Sequence, residues 1–179
     1  VLEHVRTIYL AQLRKTLESL LSEGRVVYPE ICLELSRPEA QREIYRLYVV
    51  DILERLPDGE TSVVEVNVEP VAVRGPGLPV DAPIAWNGVE FRCAEDSFPE
   101  PGLAAWGVRW VTDESPPMGP QDGFTGIIHS VAEPVSRNSY VEFSVDFGSA
   151  PIAAFDELMA ILGSSLRSIG SYSLTADAA

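Results

Sequence analysis

Cysteine, histidine and clustered carboxylates are the side chains that could carry chemistry in this chain, and their spacing limits what that chemistry can be. The soft metal ligands are Cys32, Cys93, His4 and His129. Zinc sites draw their ligands from closely spaced pairs, and none of these four has such a neighbour, so no metal is expected. Paired acids occur at Glu95-Asp96 and at Asp113-Glu114. A calcium loop alternates oxygen ligands through a fixed turn with an obligatory glycine, and neither pair fits, so both are read as solvated loop acids. A thiol nucleophile needs a base, and Cys93, His129 and Asp146 are the set that a sheet could assemble into a triad. No glycine-flanked nucleophile elbow supports it around His129-Ser130. A packed Cys93 and a buried, hydrogen-bonded His129 are the plainer expectation. Gly75-Pro76-Gly77 is glycine-rich, but proline removes a backbone donor and no lysine-bearing helix follows, so it makes no phosphate cradle. No catalytic residue and no cofactor are expected.

The elements that would position these groups can be read from periodicity. Leu2, Val5, Tyr9, Leu13, Leu17 and Leu20 recur at three- and four-residue spacings, which predicts an amphipathic helix over 2–22, stopped by Gly24. Residues 25–35 turn β-branched and alternate, a strand with Pro29 marking an edge or bulge. Residues 42–56 fit both a helical stripe (Ile44, Leu47, Tyr48, Ile52, Leu56) and a strand face (Tyr45, Leu47, Val49, Asp51, Leu53). The turn signal Pro57-Asp58-Gly59 and the alternation over 62–68 favour a long hairpin. A proline- and glycine-rich loop over 74–84 crosses to a second group of strands, expected at 84–93 and 106–112, with irregular segments at 94–102 and 113–123. Further strands are expected at 126–135 and 140–147, joined by a turn at 136–139. In the last, Val141, Phe143, Val145 and Phe147 alternate with Tyr140, Glu142, Ser144 and Asp146.

A second helix is expected after Gly148, with Ser149 as N-cap and Pro151 in the first turn. Its inward stripe runs through Ile152, Phe155, Met159, Leu162, Leu166 and Ile169 to a stop at Gly170. Residues 171–179 read as a loose tail. The sum is one α+β domain over 1–179: a mostly antiparallel sheet of about six or seven strands, with an N-terminal and a C-terminal helix packed on it. Cys32 and Cys93 both fall in strands and are expected as free thiols. No run approaches the roughly 18 apolar residues that cross a bilayer, and no signal peptide opens the chain. A cytoplasmic protein is expected, and twelve arginines against one lysine fit a GC-rich bacterial source.

Charge is the feature that bears most on function. Residues 1–50 are neutral, and the whole net charge of −14 lies in 51–179. Such a field repels nucleic acid and anionic membrane and attracts basic surfaces. Asp81 to Glu157 holds thirteen acids against three arginines, together with Trp86, Trp106 and Trp110. Tryptophan is enriched at binding hot spots, and surrounding charge steers encounter; the competing reading makes all three tryptophans core. The expected partner is a basic protein. The expected binding set is Glu90, Glu95, Asp96, Phe98, Glu100, Trp106, Asp113, Glu114 and Asp122, carried on loops 94–102 and 113–123. The class this suggests, by analogy of charge and size, is an immunity protein or inhibitor that occludes the cationic active site of a bacterial toxin. The alternative is a small hydrolase using loop carboxylates or Cys93 with His129.

Overall fold

The computed structural model describes residues 2–36, 39–74, 77–111 and 122–171. Helix α1 (Leu2–Ser22) buries the predicted stripe: Val5, Tyr9, Leu13 and Leu20 point inward. It ends at Gly24, whose φ of 76° suits glycine, with the Arg25 amide reaching back to the Leu20 carbonyl at 3.1 Å. Strand β1 (Val26–Glu34) pairs antiparallel with β2 (Leu47–Arg55), which turns at Asp58-Gly59 into β3 (Thr61–Val64). The hairpin reading of 42–56 therefore holds from Leu47 onward. Glu43–Arg46 before it is a short 3-10 turn.

The second half of the sheet consists of β4 (Val89–Ala94), β5 (Ser130–Val131), β6 (Val135–Arg137), β7 (Tyr140–Asp146) and β8 (Leu166–Gly170). The order is β1-β2-β5-β7-β4-β8, with β3 beside β2 and β6 beside β7, and all these pairings are antiparallel. Among the described residues this makes eight strands: the predicted strand 126–135 is divided into β5 and β6 by a break around Glu133-Pro134, β8 is added, and the strand expected at 106–112 is lost. Along β7 the alternation is clean: Val141, Phe143 and Val145 are buried, and the residues between them are half-exposed.

Two further elements differ from the sequence reading. Residues 106–112 were expected as a strand, but Glu100–Val111 is helix α2. Trp106, Trp110 and Leu103 lie on one face at helical spacing and are buried there. The predicted C-terminal helix also stops early: α3 spans Ile152–Leu162, and Gly163 with φ 47° ends it. Leu166 and Ile169 belong to β8, where Ile169 enters the core beside Phe91 of β4. Pro151, not Ser149, occupies the N-cap position of α3. Ser171, expected in the tail, donates its hydroxyl to the Gly88 carbonyl; residues 172–179 lie outside the described residues.

Helix α3 touches both α1 and α2, and this layer packs on the sheet face that carries Phe91, Phe143 and Val145. Phe147, between β7 and α3, has the rings of Trp86 at 4.7 Å, Phe155 at 5.5 Å and Trp106 at 6.1 Å. All three tryptophans are core, each with its indole N–H donated: Trp86 to the Gly148 carbonyl, Trp106 to the Ala154 carbonyl and Trp110 to Glu157. Cys32 and Cys93 are not joined in a disulfide. No helix among the described residues is long and apolar enough to cross a membrane.

Helix α2 approaches the sheet closely at Gly107, where a Cβ would stand 2.7 Å from Ile44 Cγ1 and 3.2 Å from Val131 Cγ2. Gly107→Val therefore overpacks this contact, with an expected loss of about 1–3 kcal/mol in urea unfolding. An unchanged midpoint would mean that α2 does not sit against β5 as described.

Candidate functional site

The densest group of ionisable side chains is inside the protein. Register places Glu30 of β1 opposite Asp51 of β2, between the pairs Pro29–Ile52 and Ile31–Val50. At this point both strands change the face they turn inward. Val27 and Ile52 face the core on one side of the break, and Cys32 and Val49 on the other. Glu30 accommodates the change with φ 52°, a left-handed conformation rare for a residue with a Cβ. The consequence is that two carboxylates in adjacent strands both point into the core.

His129 lies between them. Its backbone N–H donates to the Asp146 carbonyl at 2.8 Å and its carbonyl accepts from Val49 at 2.8 Å, so it bridges β7 and β2 just ahead of β5. The ring Nε2 is 3.2 Å from Glu30 Oε1, and Nδ1 is 3.0 Å from Asp51 Oδ1. The Tyr9 hydroxyl of α1 donates to the same Asp51 oxygen. Asp51 Oδ2 accepts the Val66 amide at 2.6 Å, and Glu30 Oε2 accepts both the amide (2.7 Å) and the hydroxyl of Thr125. His129 and Tyr9 are fully buried, and Glu30 and Asp51 nearly so. Gly148 closes the other side: its φ is 47°, and a Cβ there would stand 2.0 Å from His129 Cδ2.

A ring whose two nitrogens both face carboxylates must donate twice, and only imidazolium does that. Burial alone would push the His129 pKa down. The hydrogen bonds to Asp51 and Glu30, with the nearby charges of Asp146 and Asp51, outweigh it and push it up from 6.5 to about 10. Burial likewise works to raise Glu30 and Asp51, but the hydrogen bond and charge of His129 hold both below the usual carboxylate range. Tyr9 is driven well up, first by burial and then by the acids Asp146 and Asp51. Asp146, whose carboxylate accepts the Gly148 amide at 2.9 Å, is raised to about 7 by burial against the opposing pull of His129. Glu65, an exposed residue whose carboxylate accepts the Tyr48 hydroxyl, is also raised, chiefly by the loss of hydration around that carboxylate and then by the charge of Asp51.

The thiol–imidazole alternative is not assembled. Cys93 of β4 pairs with Val141 at the far end of β7 from Asp146, and five residues of strand cover roughly 16 Å. Its thiol is pushed up by burial, which suits packing and not nucleophilic attack. His129 does meet Asp146 by charge, as the triad required, but it also has Glu30 and Asp51, and it has no solvent.

The residues expected to bind a partner are dispersed. Glu95 and Asp96 are exposed in a 3-10 turn (Glu95–Ser97) after β4. Phe98 beside them is half-buried, its ring 5.7 Å from Phe143. Glu100 opens α2 and is held by the Nε and Nη2 donors of Arg42, which lower its pKa, and by the Tyr45 hydroxyl at 3.1 Å. Glu90 is half-buried on β4, opposite Ser144. Asp122 is exposed but lies 2.8 Å from Arg6, whose Nε is bound to the Ala150 carbonyl beyond the other end of β7. Trp106 has no exposed surface and cannot touch a partner, because residues 100–111 form a helix that turns it inward. Asp113 and Glu114 lie outside the described residues, as do the other residues of loop 113–123 up to Gln121. The loop predicted at 94–102 is largely helical. One loop inserting carboxylates and tryptophan together is therefore not what residues 94–106 build.

Sequence reasoning missed Tyr9, Glu30 and Asp51. The available signal was a lone acid within the apolar run Tyr48-Val49-Val50-Asp51-Ile52-Leu53 and a lone histidine in Ile127-Ile128-His129. Two isolated charges of complementary sign in buried strands imply each other. Together the fold and this centre define an α+β protein organised around a buried imidazolium. No protein-family model matches the chain, and comparison with curated proteins and with solved structures returns no match. Among the described residues no group of three or more histidines, cysteines and acids could hold a metal ion.

The pKa shifts fix how stability varies with pH. Asp146 and His129 are raised, so their contributions are complete below their ordinary values of 3.8 and 6.5 and are lost as pH rises through about 7 and about 10. Glu30 and Asp51 are lowered, so theirs is lost as pH falls below the ordinary carboxylate range. Stability should therefore peak on the acid side of neutrality, and Asp146→Asn should flatten the decline between pH 3.8 and about 7 in urea titrations. An unaltered decline in that variant would contradict the assignment.

Proposed function

We propose that the protein is a binding module for a basic protein. In its most specific form it is a cytoplasmic inhibitor or immunity protein that neutralises a bacterial toxin by covering a cationic active site. The supporting observation is how the net charge of −14 is presented. Six arginines are engaged by carboxylates within the molecule: Arg6 with Asp122, Arg25 with Glu23 and Glu54, Arg42 with Glu100, Arg46 with Glu34, Arg92 with Glu142 and Arg109 with Glu157. Exposed acids such as Asp58, Glu60, Glu95 and Asp96 have no ion-pair partner among the described residues. The acidic excess is thus carried outward. Such a field accelerates encounter with a basic partner and disfavours polyanions.

The test is capture at low salt from lysate of the source organism, followed by kinetics with the purified partner. The reading predicts a basic protein whose association rate falls steeply between about 0.05 and 0.5 M salt, as the Debye length shortens. The inhibitor form predicts in addition that the complex abolishes the partner's activity. A rate that stays flat across that range would overturn steering by the acidic surface, and a fully active complex would overturn the inhibitor form.

A further inference from the structure

Three of the exposed large apolar side chains stand together on one face of the sheet. Directly opposite residues share a face, so the register aligns Tyr28, Leu53 and Val63 in one row across β1, β2 and β3, and Val26, Arg55 and Thr61 in the next. Tyr28 is 43% exposed, Val63 45% and Val26 51%, while Leu53 between them is half-buried. Beyond Glu30 the strands turn the opposite side chains inward, so these rows lie on the face away from the core residues Val27 and Ile52. Single exposed valines are ordinary, but a contiguous apolar row over three strands marks an interaction surface.

Acids border this patch. Asp58 and Glu60 occupy the β2–β3 turn at one end and Glu65 follows β3 at the other; all three are exposed, and residues 56–73 contain no lysine or arginine. Arg55 is the base within the patch, and Arg25 beside it is paired with Glu23 and Glu54. A cleft of about 680 Å3, lined by Arg25, Val26, Glu54, Arg55 and Leu56 among others, adjoins the Val26 end. Strand β1 is an edge of the sheet, but Pro29 offers no N–H and Glu30 bends the chain at φ 52°, which obstructs an added strand. A partner must therefore dock on the face.

We propose that the outer face of β1–β2–β3 is the docking surface for a cationic protein. An apolar centre on the partner covers Val26, Tyr28, Leu53 and Val63, and its lysines and arginines meet Asp58, Glu60 and Glu65. This rests on the acidic-binding reading and moves its centre away from Glu95 and Asp96. Apolar centre and charged rim are the usual anatomy of such interfaces, and tyrosine is a frequent anchor. A second copy of the chain would bring like charges together at the same rim.

The probe is a random peptide library selected against the purified protein at low salt, with each selected peptide mapped by amide shifts on labelled protein. The expected peptides combine lysine or arginine with apolar residues, shift Val26, Tyr28, Leu53 and Val63, and bind Tyr28→Ala/Val63→Asn at least about tenfold more weakly. They bind Glu95→Gln/Asp96→Asn nearly as well as the parent protein. Both sites are exposed, and unchanged circular dichroism verifies that the variants fold. Cationic peptides that shift other residues and ignore the double variant would overturn the docking face while leaving the acidic-binding reading standing. Selected peptides with no excess of lysine and arginine would overturn that reading itself. A dimer in sedimentation that Tyr28→Ala dissociates would make the occupant a second copy and overturn the cationic partner.

Discussion

An imidazolium without water is tolerable only while both of its N–H groups have acceptors, and His129 has Glu30 on one side and Asp51 on the other. The demand is severe because removing one partner of a buried pair leaves the other charge uncompensated. Six segments of chain meet here: α1 through Tyr9, β1 through Glu30, β2 through Asp51, the stretch after β3 through Val66, the Thr125–His129 approach to β5, and β7 with Gly148 beyond it. The left-handed residue at Glu30, the change of face in β1 and β2, and the glycine against the ring are all explained by this one requirement. Apolar packing around Phe147 supplies the bulk of the core, and the ionic centre fixes the register in which β1, β2 and β7 are held. Its polar atoms are satisfied: among the described residues no buried side-chain nitrogen or oxygen lacks a hydrogen-bond partner.

The same arrangement separates interior from surface electrostatics. The centre holds its charges among themselves, and Arg6, although buried, reaches out to bind the Ser149 and Ala150 carbonyls and Asp122. It thereby ties the entry of α3 to α1. Other arginines are committed to carboxylates on neighbouring elements, such as Arg42 on Glu100 and Arg109 on Glu157. Exposed pairs of this kind add little stability. Their effect is to leave the acidic excess on the outside of a fold whose rigidity comes from elsewhere.

Local pattern carried much of this fold. The α1 stripe, the Pro57-Asp58-Gly59 turn and the alternation along β7 are each decided by a few neighbouring residues and were legible. Residues 106–112 were not, because Trp106, Val108 and Trp110 alternate as a strand would, while Leu103, Trp106 and Trp110 also stand at helical spacing and Gly107 lets the helix approach the sheet. The end of α3 was misread because Leu166 and Ile169 continue the helical spacing beyond Gly163, although they serve β8. Of the site, His129 as a buried, hydrogen-bonded residue was readable from its apolar neighbours. Its partners are 99 and 78 residues away in the chain, since they are Glu30 and Asp51, and long-range pairing of strands leaves no local trace. Surface binding residues were hardest of all: Glu95 and Asp122 carry the same charge, yet the fold places them at opposite ends of β7, and one of them is paired with Arg6.

The ionisation state of His129 tests the account most directly. Nitrogen-15 NMR of the imidazole ring follows it as pH is raised. The account predicts two protonated ring nitrogens throughout neutrality, exchanging slowly with solvent, and loss of a proton only on approach to about pH 10. A ring that titrates near its ordinary value of 6.5, or that is neutral with one bare nitrogen at pH 7, would contradict it.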